Sequence, residues 1–376
     1  MSQPYSLAVL PGDGIGPEVT NCALQVLDAA EARYDFTTER TTYAAGANHY
    51  LKTGELFDAL EGELRDKDAI LFGSMGDPRV TPGILERGFI LEMRQRFQQA
   101  ANVRPVRLYP GVPTPIVGLT PERCDMVIVR ENTEGAYVGS GSTVHKGTKN
   151  AVAMQESLNT RAGIERVVDF SFRLALGRRK KLTLCHKTNI LVAAGQLWQE
   201  VVNDLSLRYP EVELDYVHVD AMCFYLPLTP ERFDVVVTDN LFGDIITDLG
   251  AVIQGGLGVA TSANLNLDGD APSMFEAIHG SAPDIAGKGW ANPVGAILSL
   301  AMLLGHLGEG EAAQAIEAAS VQVLGSLPAL AGAEMGASTD EVGARIAEIT
   351  RAGSADMSLT PNSLLGTLAE LAPSRS

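Results

Sequence analysis

The sequence predicts an α/β fold on a largely parallel sheet, for three reasons. Short β-branched runs alternate along the chain with longer amphipathic segments. Polar residues gather just past the carboxyl ends of those runs, where open α/β sheets bind ligands. The chain has 376 residues, 45% hydrophobic and 20% charged, which is a globular composition large enough for two lobes.

SLAVL (6–10) reads as the first strand, followed by a glycine turn and a helical pattern through Val19, Leu24, Val26 and Leu27. The turn GDGIGPE (12–18) lacks the third glycine of G-x-G-x-x-G, and Pro17 stands where the helix begins. It reads as a strand-to-helix turn with proline in the first helical position, and a loop that brushes a ligand stays open. DAILFGS (68–74) is the next strand, and ILEMRQRF (90–97) has the apolar spacing of a helix carrying Arg94. Arg104 precedes a proline and is expected to be extended. DMVIVRE (125–131) ends in Arg130 and leads through NTEGAY to Tyr137. Helical patterns over 160–176 and 190–207 flank KLTLCHK (181–187), a strand ending at Lys187. ELDYVHVD (213–220) ends at Asp220, and FDVVVTD (233–239) runs into Asp244 and Asp248. GAILSLAMLLG (295–305) is too short for a bilayer and reads as a buried helix. Beyond Arg351, GSADMSLTPNS is polar and turn-rich, a C-terminal extension of the kind that stays mobile, with a short apolar segment after it.

Composition excludes several classes. A formal net charge of -17 argues against nucleic acid and anionic membrane surfaces, though not against a small anionic substrate in a locally basic site. MSQPYSLAVL has no basic n-region, so no signal peptide is expected. Four scattered cysteines without CxxC favour a reduced, cytoplasmic protein. No HExxH and no GxSxG is present, and GRRKK (177–181) reads as a solvated helix end.

Asp244 and Asp248 stand one helical turn apart, so both carboxylates share a face and repel. One reading is a solvated face. The other is a hard divalent cation, Mg²⁺ or Mn²⁺, which removes the repulsion, with Asp220 as a candidate third ligand. Lys187 is either a snorkelling lysine or, near arginines or a metal, a base with a lowered pKa. Arg94, Arg104 and Arg130 taken singly are surface residues. Together they suit a substrate with two carboxylates, because guanidinium forks match carboxylates two bonds at a time.

These residues lie in motifs that resemble the isocitrate/isopropylmalate dehydrogenase family of β-decarboxylating dehydrogenases. The motifs are GDGIGPEV (12–19), NVRPVRLYPG (102–111), VRENTEGAYVG (129–139), HKTNIL (186–191), TDNLFGDIITDL (238–249) and HGSAPDIAGKGWANP (279–293). The resemblance implies a two-lobed fold that is not a Rossmann fold. One lobe uses residues 1–101 and 258–354, the other 102–257 with the dimer interface, and 355–376 is an extension. It implies Mg²⁺ or Mn²⁺ on Asp244 and Asp248, with Asp220 joining from the other subunit of a homodimer that shares its active sites. Arg94, Arg104 and Arg130 are then the substrate arginines, Lys187 the base that reaches across the dimer, and Tyr137 the acid that protonates the product enol. NAD is expected on His279, Gly280, Ser281, Ala282, Pro283, Asp284, Ile285 and Asn292. Asp284 would bond the adenosine ribose and repel a 2'-phosphate, favouring NAD over NADP.

The implied activity is oxidative decarboxylation of 3-isopropylmalate to 4-methyl-2-oxopentanoate in leucine biosynthesis. The same reaction on tartrate, D-malate or homoisocitrate is the alternative. In this family the helix bearing the first arginine sets the substrate. Here LERGFILEMR (85–94) offers Phe89, Ile90 and Leu91 as an apolar wall for an isopropyl group. A silent regulatory subunit would be expected to lose a metal ligand, the lysine or the tyrosine, and this chain keeps Lys187, Tyr137, Asp220, Asp244 and Asp248.

Overall fold

The structure, a computed structural model, describes residues 3–361 and 363–371. In chain order the strands are β1 Tyr5–Gly12, β2 Thr38–Thr42, β3 Ala69–Ser74, β4 Ala101–Arg107, β5 Asp125–Glu131, β6 Gly141–Val144, β7 Val152–Gln155, β8 Lys181–His186, β9 Glu213–His218, β10 Val235–Thr238, β11 Thr261–Leu265 and β12 Ser273–Ala277. The α-helices are α1 Gly16–Glu31, α2 Ala47–Thr53, α3 Glu61–Arg65, α4 Glu92–Arg96, α5 Arg161–Leu176, α6 Val192–Ser206, α7 Val219–Leu228, α8 Asn240–Ile253, α9 Val294–His306, α10 Gly310–Leu324, α11 Thr339–Ala352 and α12 Leu364–Leu371.

One ten-stranded sheet runs in the order β2-β1-β3-β12-β11-β4-β5-β10-β8-β9. The flanks are parallel: β2, β1, β3 and β12 on one side, and β5, β10, β8 and β9 on the other. Antiparallel pairs β12–β11, β11–β4 and β4–β5 join them. Strands from both chain ends therefore fill one half of the sheet, and central strands fill the other. The Val-rich β10 is buried along its whole length, as expected of a strand covered on both faces. Outside this sheet, β6 and β7 form a small exposed hairpin.

The antiparallel seam holds a buried polar cluster. Asn102 and Asn132 both donate to Asn264 Oδ1, at 2.8 and 2.9 Å, and Asn264 Nδ2 donates to Glu276 at 2.8 Å. The pairing satisfies the amide NH₂ groups and Asn264 Oδ1, while Asn102 Oδ1 and Asn132 Oδ1 stay buried without a protein partner.

The turn after β1 behaves as the proline indicated, with Pro17 in the first turn of α1. Asp13 ties the loop down: its carboxylate accepts from Ala47 N at the start of α2 and from Gly76 N. Gly12 has φ +72°, and a Cβ there would lie 1.8 Å from the Ser74 carbonyl oxygen, so only glycine fits. Helix α9 is apolar all round and buried from Val294 to Gly305, which is why its sequence showed a run rather than a stripe.

The C-terminal extension is packed, not loose, over its described residues, with 362 and 372–376 lying outside them. Leu364, Leu365 and Leu368 of α12 are buried, against α9, α10 and α5. Arg107 of β4 donates to the Pro361 carbonyl at 2.6 Å, and Ser363 Oγ donates to Glu317 of α10 at 2.5 Å. The segment thus touches elements from both halves of the sheet.

Candidate active site

Helix α8 organises the site. Asp239 caps it by accepting from Phe242 N at 2.8 Å. Asn240, Asp244 and Asp248 then fall at successive four-residue steps on one face. Arg130, at the end of β5 and 1% exposed, lies across that face. Its Nε and Nη2 donate to Asn240 Oδ1 at 3.0 and 2.8 Å, and its Nη1 donates to Asp244 Oδ1. Gly243 makes room for it, since a Cβ there would stand 2.5 Å from Arg130 Cγ.

Tyr137 completes this group. Its hydroxyl donates to Asp244 Oδ2 at 2.9 Å, and the Arg130 guanidinium lies 5.1 Å from its ring centre. Burial first, and then the Asp244 charge, push the Tyr137 hydroxyl above its ordinary pKa. For Asp244, burial alone would raise the pKa, but Arg130, the Tyr137 hydroxyl and Arg104 outweigh it and the net shift is down. Asp248 moves the other way: burial raises it and Arg104 offsets only part.

The other two arginines join from neighbouring elements. Arg94, on α4, is buried and donates to Glu276 Oε1 of β12 at 3.0 Å. Arg104, on the extended β4, donates to Thr247 Oγ1 at 2.6 Å and approaches Asp248 to 3.8 Å. Burial and then the Arg130 and Arg94 charges push Arg104 down to about 10, so it stays charged at neutral pH. Nε of both Arg94 and Arg104 is buried without a protein partner. Three mutually repelling guanidiniums with unused donors fit an anionic ligand carrying more than one carboxylate.

Asp220 and Lys187 stand apart from this cluster. Asp220 lies in the first turn of α7 rather than at the end of the strand before it, and it pairs with Lys187 just past β8. That contact, chiefly the Lys187 hydrogen bond, holds the Asp220 carboxyl low. Among the described residues, no three His, Cys, Asp or Glu side chains are grouped so as to hold a metal. Within one chain, Asp244 and Asp248 supply two hard oxygen donors on one turn, which suits Mg²⁺ or Mn²⁺ but leaves coordination to be completed by other ligands.

The 279–285 segment meets the turn after β1, where Ile15 N donates to the Ser281 carbonyl at 2.8 Å. His279 Nδ1 lies 3.1 Å from the Gly280 carbonyl, while His279 Nε2 and Asn292 Nδ2 are buried without a protein partner. Ala282 takes φ +39°, a strained value outside glycine, and Pro283 and Asp284 are exposed. Orphaned polar atoms beside a strained, exposed loop fit a bound polar cofactor such as NAD.

The apolar wall is narrower than the sequence suggested. Phe89 is 2% exposed and packs edge-on against Phe57 at 5.8 Å, so it belongs to the core. Residues Glu86–Leu91 form a π-helical turn, which shifts the side-chain phase relative to an α-helix. Ile90 and Leu91 stay part-exposed and remain the wall candidates.

Sequence reasoning missed Asn240, Glu276 and Thr247. Asn240 carried one usable signal, its place one turn before Asp244. Glu276 lies 182 residues from Arg94, and nothing local marks the pairing.

Comparison with known proteins agrees with this geometry. The sequence model of the family described as isocitrate/isopropylmalate dehydrogenase matches residues 6–346. Among similar proteins, the 3-isopropylmalate dehydrogenase of Thermobifida fusca (strain YX) is 54% identical over 325 residues, 86% of this chain and 92% of that protein. The 3-isopropylmalate dehydrogenase of Streptomyces coelicolor is 52% identical over 352 residues, 92% of this chain and 100% of that protein. The crystal structure of isocitrate dehydrogenase from Methylococcus capsulatus superposes with a TM-score of 0.83 at 35% identity, covering 92% of this chain and 99% of that one. The order of strands, the α8 carboxylates and a sequence match over nearly the whole length converge: this chain belongs to the isocitrate/isopropylmalate dehydrogenase family.

Proposed function

We propose that this chain oxidatively decarboxylates 3-isopropylmalate to 4-methyl-2-oxopentanoate, with NAD⁺ and Mg²⁺ or Mn²⁺, in leucine biosynthesis. The observation that carries the reading is the buried cluster of Arg94, Arg104 and Arg130 facing Asp244 and Tyr137, in a chain whose relatives bear that enzyme's name.

A divalent cation on Asp244 and Asp248, and on Asp220 of a second copy, supplies Lewis acidity at the substrate hydroxyl, and NAD⁺ on the 279–285 segment and Asn292 supplies the hydride acceptor. The chain's own residues do the rest. The three arginines bind and orient the two carboxylates. Lys187 of a second copy, as the neutral amine once the cation rather than the lysine engages Asp220, takes the hydroxyl proton, and its pairing with Asp220 supports placing both at one point of that copy's site. After loss of CO₂, Tyr137 donates a proton to carbon. Its raised pKa keeps it protonated at neutral pH. Ile90 and Leu91 face the isopropyl group, and Asp284 favours NAD⁺ over NADP⁺.

A homodimer is part of this proposal. Phe224 and Leu228 of α7 and Leu241, Ile245 and Val252 of α8 are exposed apolar residues that a second copy would cover. The strand order supports a lobe of 1–101 and 258–354 and a lobe of 102–257.

The test is NADH formation by the purified protein with either metal. The panel is 3-isopropylmalate, isocitrate, homoisocitrate, tartrate and D-malate, each with NAD⁺ and NADP⁺. Fast turnover of 3-isopropylmalate with NAD⁺ alone is expected; a different preferred acid would overturn the assignment of Ile90 and Leu91.

A further inference from the structure

We propose that Asn240 is a positioning residue for substrate binding: it fixes the plane of the Arg130 guanidinium and, being neutral, leaves that charge available to a substrate carboxylate. The inference rests on the function proposed above.

A guanidinium carries five N–H donors. Three are committed here, two to Asn240 Oδ1 at 3.0 and 2.8 Å and one to Asp244. One N–H is left on each terminal nitrogen for a further acceptor, while the Nε–Nη2 edge is closed by Asn240. The single acceptor at Asn240 therefore decides which edge of Arg130 stays open.

Asn240 is itself held. It is 1% exposed, and its Nδ2 donates to the Glu134 carbonyl at 2.9 Å. That bond sets the amide's orientation, because a flipped amide would turn its NH₂ toward the guanidinium and its oxygen toward another carbonyl. Gly135 brings the Glu134 carbonyl close: it has φ +71°, and a Cβ there would lie 3.1 Å from Asn240 Cβ. Gly243 seats the Arg130 stem on the same helix face. An aspartate at 240 would keep the shape but add a second anion to Arg130 beside Asp244, opposing the incoming carboxylate and leaving the Glu134 carbonyl without its donor.

The experiment is a double-mutant cycle on the full-length protein with 3-isopropylmalate. It uses Asn240→Ala and Asn240→Asp, each alone and combined with Arg130→Lys, reading KM, kcat and Tm. In the wild-type background both substitutions should raise KM by about tenfold or more, the loss expected for a hydrogen bond to a charged group, with kcat changed less than about threefold. In the Arg130→Lys background they should change KM less than about twofold, because a lysine has no plane to orient. An unchanged KM in the first background, or the full rise in the second, overturns the proposal. If N240A does not fold, N240D carries the same two readings. If the wild type turns over none of the acids, the functional reading has failed; the cycle is then read from the Tm rise given by whichever acid of the panel stabilises the wild type most, with the same expected and overturning patterns, and no Tm rise with any of them overturns the proposal.

Discussion

The Tyr137 hydroxyl and the Asp244 carboxylate face each other at 2.9 Å, one on the loop after β5 and the other on α8. Asp244 thus accepts from Tyr137 through one oxygen and from Arg130 through the other. Removing the hydroxyl takes away the proposed proton donor and spares the two charges. Tyr137→Phe should lower kcat on 3-isopropylmalate by about 10²-fold or more, the usual scale for a lost general acid, with Mn²⁺ affinity within about threefold. Steady-state kinetics and metal titration check it; a kcat within twofold of wild type removes Tyr137 from the reaction.

Arg104 illustrates a site that costs stability. It is buried beside two other guanidiniums, and Thr247, its hydrogen-bond partner, also donates to the Gly243 carbonyl at 2.7 Å. Arg104→Met should therefore leave the ligand-free Tm unchanged or raise it, since an apolar side chain of similar length replaces a repelled charge. The same change should lower kcat/KM by roughly 10²–10³-fold, the cost of a lost buried ionic contact. A marked fall in Tm would mean Arg104 supports the fold rather than the substrate.

His186 gives the protein an acid-sensitive point. Its ring is buried beside Trp198 and Phe242, with neither nitrogen hydrogen-bonded, and burial pushes it down to about 4. The unfolded chain takes up this proton near pH 6.5. The stabilising contribution of the neutral ring is then present above pH 6.5 and is lost as pH falls toward about 4. His186→Phe should flatten the Tm profile over that window. Parallel Tm curves for the two proteins from pH 7 to pH 4 would show that another group governs acid sensitivity.

The C-terminal helix can be removed by ending the chain after Ser354, just past the α11 cap at Gly353. Leu364, Leu365 and Leu368 each bury an apolar side chain worth about 1.5–3 kcal/mol. The shortened protein should show a clearly lower Tm, with turnover at 25 °C retained because the proposed site residues all precede residue 293. An unchanged Tm would mean that the burial seen for α12 adds nothing in solution.

Much of this was legible in the sequence. The strands centred on residues 8, 71, 128, 183, 216 and 236 could be read because they are apolar and β-branched. Pro17 and the apolar run at 295–305 were equally plain. What stayed hidden depended on partners. β2 reads TERTT, a polar edge strand with no hydrophobic signal. Phe89 looked like pocket lining because the π-helical turn cannot be inferred from apolar spacing. α12 looked loose because its stability comes from tertiary burial of three leucines, not from local propensity. Asp244 and Asp248 drew attention because repulsion at four-residue spacing is a local fact; Glu276 did not, because its meaning lies in an arginine far along the chain.

The position of β11 and β12 has a consequence for biosynthesis. β3 and β4 are consecutive main-sheet strands along the chain, yet in the sheet β12 and β11 stand between them. A nascent chain that has finished β3 at Ser74 must wait for Ala277, about 200 residues later, before its first sheet edge is covered. At 5–20 residues per second that is on the order of 10–40 s with open strand edges. The seam that joins the two halves is therefore also the last part of the sheet the ribosome can deliver. Until then the β3 edge of the first three strands has no sheet partner, the kind of exposed edge that invites pairing with other chains.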